Sequence, residues 1–92
     1  MCYVIKRDGR TVPFDKEKIK TAILKSMHNG SGVIREKIAE DIANEIAEES
    51  HGLKNIEIAN IEMAVYNKLI SKKQKLTAKC YEDYRAVREY QR

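Results

Sequence analysis

Apolar positions in this chain fall into four long runs at helical spacing and a few short runs without it. Ile19, Ala22, Ile23 and Met27 recur every three or four residues and predict one amphipathic helix over about 16–27. Ile34, Ile38, Ile42 and Ile46 follow at strict four-residue intervals beside Ala39, Ala43 and Ala47, predicting a second helix over about 34–49. Ile61, Val65 and Leu69 mark a third over about 58–71. Leu76, Cys80, Tyr84 and Val87 mark a fourth, after the basic connection at 72–75. Ahead of these, Val4 and Ile5 give residues 2–6 the β-branched bulk of a strand, and 11–14 read as its return. Residues 53–56 form a short third strand candidate.

Polar residues punctuate this pattern consistently. Asp8-Gly9 is a tight-turn signal between the first two strands. Pro13 confines the returning strand to an edge or to its last paired position. Asp15 is a good N-cap for the first helix, with Glu17 in the first turn favoured by the helix dipole. Asn29-Gly30-Ser31-Gly32 ends that helix, and Gly52 reads as a C-cap of the second. The expected architecture is α+β: a four-helix bundle capped by a small three-stranded sheet, in the order ββ-α-α-β-α-α, as a single domain over 1–92. No internal repeat or low-complexity segment interrupts it.

Composition narrows the class. With 92 residues, 42% hydrophobic and 35% charged, the chain suits one globular core and leaves little room for a deep catalytic cleft. No apolar run approaches the ~20 residues that span a bilayer, and no signal-peptide pattern opens the chain. Cys2 and Cys80 lack any paired-cysteine or Cys/His spacing, so they read as two reduced thiols in a cytoplasmic protein. His28 and His51 sit near helix ends and suggest no catalytic pairing; the acids Glu40, Asp41, Glu45, Glu48 and Glu49 read as a solvated face.

Charge is segregated. Residues 1–33 carry a net +4, residues 34–62 a net −5 and residues 63–92 a net +5. Basic ends around an acidic middle suit a compact anion site better than a nucleic-acid-coating face. Neither a P-loop nor a G-x-G-x-x-G fingerprint occurs, so phosphate would be held by side-chain cations. Lys6, Arg7 and Lys18 are the candidates, with Val4, Phe14 and Ile19 able to wall an apolar slot beside them. Spacing alone favours the plainer readings, a solvated hairpin tip and helix surface for the cations and an ordinary sheet–helix core for the apolar residues. Tyr81, Tyr84 and Tyr90 with Lys79, Arg85 and Arg88 crowd the last helix, where stacking on nucleic acid competes with core packing for Tyr84 and partner contact for the others.

The run Val4-Ile-Lys-Arg-Asp-Gly-Arg, then Val12-Pro-Phe-Asp and Lys18-Ile19, resembles the opening of the ATP-cone family. The resemblance continues through 56–61 with Val65 and Leu69, and resumes at 76–81 and Tyr84-Arg85. Among cones it looks most like the N-terminal regulatory domain of the anaerobic (class III) ribonucleoside-triphosphate reductase. A cone beginning at Met1 with no four-cysteine ribbon ahead of it disfavours the DNA-binding repressor of reductase genes. The resemblance implies a regulatory domain without catalytic residues of its own. It would bind ATP or dATP, with Mg²⁺, to control overall reductase activity. The implied partners are the catalytic domain of the parent reductase and neighbouring subunits; nucleic acid is disfavoured, and no membrane is implied. Lys6, Arg7 and Lys18 are then assigned to the triphosphate and Val4, Phe14 and Ile19 to the base. Asp15 would meet the base's exocyclic amine, and Ile58, Glu62 and Lys79 would line the far side. The alternatives are a repressor's cone or a degenerate cone kept for protein contacts.

Overall fold

Three short strands lie against four helices in the computed structural model, which describes the backbone of residues 2–90 and side chains from Cys2 to Asp83. The strands are β1 (Tyr3–Ile5), β2 (Thr11–Pro13) and β3 (Asn55–Glu57). The helices are α1 (Lys16–Asn29), α2 (Glu36–Ser50), α3 (Ile58–Ser71) and α4 (Lys75–Tyr90). Element order and class match the expected ββ-α-α-β-α-α arrangement.

The sheet order is β2-β1-β3, with β1 antiparallel to β2 and parallel to β3. Pro13 therefore lies on an edge strand, paired opposite Tyr3, where its missing N–H does no harm. The hairpin closes with a three-residue loop. The Gly9 amide donates to the Lys6 carbonyl at 3.0 Å and the Lys6 amide to the Arg10 carbonyl at 2.7 Å. Gly9 adopts φ +90°, the left-handed turn that such a loop needs and that glycine takes without strain. The Asp15 carboxylate accepts from the Glu17 amide at 3.0 Å, capping α1 as its sequence position predicts.

Ile23, Met27, Ile42, Ile46, Val65 and Leu69 are fully or almost fully buried where α1, α2 and α3 meet. Each such side chain contributes roughly 1.5–3 kcal/mol of transfer free energy. Two predicted stripes are shifted. Ile34 is half exposed because α2 begins only at Glu36, which leaves this isoleucine outside the helix whose face the later ones share. Leu76 is also exposed, and Cys80 half-buried; α4 instead buries Thr77, Ala78 and Tyr81. The end of α1 meets the other side of α4 closely at a glycine. A Cβ on Gly30, at the end of α1, would lie 2.8 Å from the Leu76 carbonyl oxygen and 3.2 Å from the Cys80 Cβ.

Two boundary expectations need correction. The third strand begins at Asn55 rather than 53, leaving Leu53 exposed. The second helix ends through His51, in right-handed geometry, and Gly52 is not among the positive-φ glycines of a left-handed cap. The packing expected of Tyr84 and Val87, and the contacts expected of Arg85, Arg88 and Tyr90, lie outside the described side chains.

Candidate functional site

The strands of the hairpin, the start of α1 and the first turns of α3 border a cleft of about 240 Å³. Each wall has a local cause. Val4 points inward from the central strand, and Lys6 follows it two residues on, on the same face of the chain. Pro13 and Phe14 carry β2 into the Asp15 cap, which fixes where α1 begins. Lys18, Ile19 and Ala22 then line the cleft from the first turns of that helix. Ile58, Ile61 and Glu62 line it from one face of α3, and Tyr81 from α4.

Eight of the ten expected site residues thus border one cavity: Val4, Lys6, Phe14, Asp15, Lys18, Ile19, Ile58 and Glu62. Its walls mix apolar side chains with charged ones, the cations Lys6 and Lys18 coming from the hairpin and α1. Arg7 lines an adjoining groove with Ile5, Lys6 and Glu57, and its guanidinium reaches inward. Arg7 Nη2 donates to Glu62 Oε1 at 2.6 Å, joining residues 55 positions apart. Lys79 is exposed on α4 and is not among the cleft-lining residues.

Tyr81 was missed as a wall. Sequence spacing grouped it with surface aromatics, whereas it is only 8% exposed, packs in the core and borders the cleft. Glu62 and Tyr81 also line a second, smaller cavity of about 150 Å³ with Met63, Tyr66 and Glu82. The two side chains therefore form a shared partition.

Other charged groups are committed elsewhere. Arg10 folds back on Asp8, its Nε donating to the carboxylate at 2.7 Å, which holds it at the hairpin tip. Lys68 donates to Glu45 at 3.3 Å and to Glu49 at 3.0 Å, and Lys72 lies 3.1 Å from Glu45. These pairs tie α3 to α2, so part of the acidic face expected to be merely solvated is ion-paired. The Glu45 carboxyl is held below its ordinary range chiefly by Lys72, and Lys68 is held above its own chiefly by Glu49. Both cysteines are free, and no group of three or more metal-ligating side chains occurs among the described residues. No helix among them is long and apolar enough to cross a membrane.

A sheet-capped four-helix bundle with a cation-edged cleft defines a small class of domain. Residues 2–90 match the ATP cone domain, and the chain belongs to that family. It is similar to the anaerobic ribonucleoside-triphosphate reductases of Salmonella typhimurium and Escherichia coli, each 36% identical over 90 residues. Those residues are 98% of this chain and 12% of each reductase, so the chain spans about an eighth of the relatives it matches.

Proposed function

We propose that this domain is an allosteric sensor of ATP and dATP that controls the overall activity of a ribonucleotide reductase, the anaerobic ribonucleoside-triphosphate enzyme being the favoured host. The observation that carries this reading is the convergence of eight expected contacts, drawn from β1, the β2–α1 junction and α3, on one cleft. The host assignment rests on the similarity to the two anaerobic reductases.

In this reading the adenine ring enters the apolar slot between Val4, Phe14, Ile19 and Ile58, and Asp15 accepts from its exocyclic amine. Ligand pockets typically enclose about 300–1,000 Å³. A 240 Å³ cleft therefore houses the ring end of a nucleotide and leaves its phosphates at the mouth. Lys6 and Lys18 would meet them there, joined by Arg7 from the adjoining groove. Mg²⁺ would arrive on the phosphates, since this ion is usually bound through few protein ligands and keeps much of its water.

Sensing requires different affinity for two states of the host, because equal binding to both shifts nothing. ATP and dATP differ only at the 2′-hydroxyl, so discrimination belongs near the ribose, between the apolar slot and the cations. The output would be a changed surface presented to the catalytic domain or a neighbouring subunit. Calorimetric titration with each nucleotide tests the reading. Wild-type chain should bind both, and Lys6→Glu should bind neither while keeping its helical circular dichroism. Normal ATP binding by Lys6→Glu would remove the site assignment. A flat wild-type titration would leave a cone kept only for protein contacts.

A further inference from the structure

The cleft contains its own anion. Glu62 sits one turn after Ile58 on α3, is 8% exposed and lines the cavity that the nucleotide reading fills. A polyphosphate entering beside a buried carboxylate meets like charge in a medium that screens poorly. In the present structure that carboxylate accepts from Arg7 at 2.6 Å, a short charge-assisted bond from the hairpin loop to the helix. Arg7 is the more exposed partner: its side chain is 35% exposed, against 10% for Glu62. The guanidinium can therefore swing toward the mouth, whereas the carboxylate stays fixed in the wall.

We propose that Glu62 is an internal counter-ion that holds Arg7 until nucleotide phosphates displace it, so that this carboxylate sets the affinity threshold of the site. The proposal rests on the nucleotide reading above. Taking Arg7 away leaves Glu62 buried and uncompensated, which opposes binding. A ligand overcomes that opposition through the negative charge it brings to Arg7. A triphosphate does so best, a monophosphate less well, and a nucleoside not at all. Glu62 thus selects for phosphate number, while the apolar slot selects for the ring.

Glutamine at position 62 keeps the size and hydrogen-bonding reach of the side chain and removes its charge. Titrations of wild type and Glu62→Gln with adenosine, AMP and ATP separate the possibilities. Glu62→Gln should bind ATP roughly tenfold more tightly, AMP by a smaller factor and adenosine with unchanged affinity. Equal or weaker ATP binding would overturn the proposal, as would an equal gain for adenosine, which would place Glu62 against ring or ribose. NMR of the Arg7 guanidinium in the wild-type chain gives a second readout that does not depend on the variant folding. Its paired N–H signal should shift on adding ATP and stay put with adenosine; an unmoved signal at saturating ATP would count equally against it. A wild type that takes none of the three ligands sinks the nucleotide reading and this one with it. A wild type that binds ATP without any gain in Glu62→Gln sinks the counter-ion alone.

Discussion

The α2–α3 flank and the mouth of the cleft carry the same kinds of cation in different states of commitment. On the flank, Lys68 bridges Glu45 and Glu49 and Lys72 joins Glu45, so each ammonium is matched by acids of the neighbouring helix. At the cleft, Lys18 is exposed beside apolar side chains, and among the described residues no ion pair joins it. Arg7 does have a carboxylate, but that carboxylate lies in the cavity wall. Local density of positive charge would not separate the two regions. What separates them is whether the counter-charge belongs to the scaffold or must be supplied, wholly or partly, by a ligand.

The sharpest way to break this contrast is to reverse one charge in each region and measure both binding and stability. Lys18→Glu should weaken ATP binding by more than about 100-fold, roughly 3 kcal/mol, because a developing contact becomes a repulsion. Its urea midpoint should be that of wild type, since an exposed side chain without an ion-pair partner contributes little to folding. If Lys18→Glu unfolds the chain, or binds ATP as before, the mouth is scaffold after all.

The bundle should also be separable from the cleft in the stabilising direction. The Thr77 hydroxyl is fully buried on α4 and has no hydrogen-bond partner among the described residues. Removing an orphaned polar group relieves a desolvation penalty of about 1 kcal/mol or more. Thr77→Val should therefore raise the urea midpoint by about that free energy and leave ATP affinity alone. A lower midpoint would mean that the hydroxyl is satisfied in solution, for example by bound water.

These two regions were not equally legible in the sequence. Val4, Lys6, Phe14, Asp15, Lys18 and Ile19 lie within sixteen consecutive positions, so a turn, a cap and a helical period were enough to bring them together. Such local geometry follows from backbone preferences alone. The Arg7–Glu62 bond joins positions 55 apart and depends on how β1 pairs in parallel with β3 ahead of α3. No local preference encodes that distance. Tyr81 was obscured for a different reason: Thr77 and Ala78, which share its buried face, carry little hydropathy signal. Both are nonetheless fully buried, a consequence of tertiary packing that hydropathy along the chain does not report. Leu76 and Cys80 look more apolar and lie on the more exposed side.

On the flank, replacing the central ammonium should cost stability and nothing else. Lys68 is 19% exposed at its side chain and serves two partners that are more exposed than itself. Exposed pairs are worth about 0.2–1 kcal/mol, and a partly shielded bridge belongs near the upper end. Lys68→Met keeps the aliphatic stem packed and should lower unfolding free energy by roughly 0.5–1 kcal/mol, with unchanged ATP affinity. A loss of ATP binding in Lys68→Met would make the flank part of the site and erase the comparison.

The smallest effect is the most specific to the flank, because its sign depends on pH. Lys72, then Lys68, holds the Glu45 carboxyl below its ordinary value of 4.5 in the folded chain. The unfolded chain therefore binds a proton more readily there, and this contribution is fully present above about pH 4.5 and fades as pH falls through the lower folded value. Lys68 is held above its ordinary 10.5 by Glu49 and Glu45, so its contribution is intact below 10.5 and fades as pH rises through the folded value. Because Glu45 is 42% exposed, solvent screening limits the acid-side term to a few tenths of a kcal/mol. Urea unfolding of wild type and Lys72→Met at pH 6 and pH 3 isolates it. The variant should be slightly less stable at pH 6, and the gap should narrow at pH 3 and in 1 M salt, where the Debye length is about 3 Å. A gap of the same size under all three conditions would assign the Lys72 contribution to its packed stem instead of its charge.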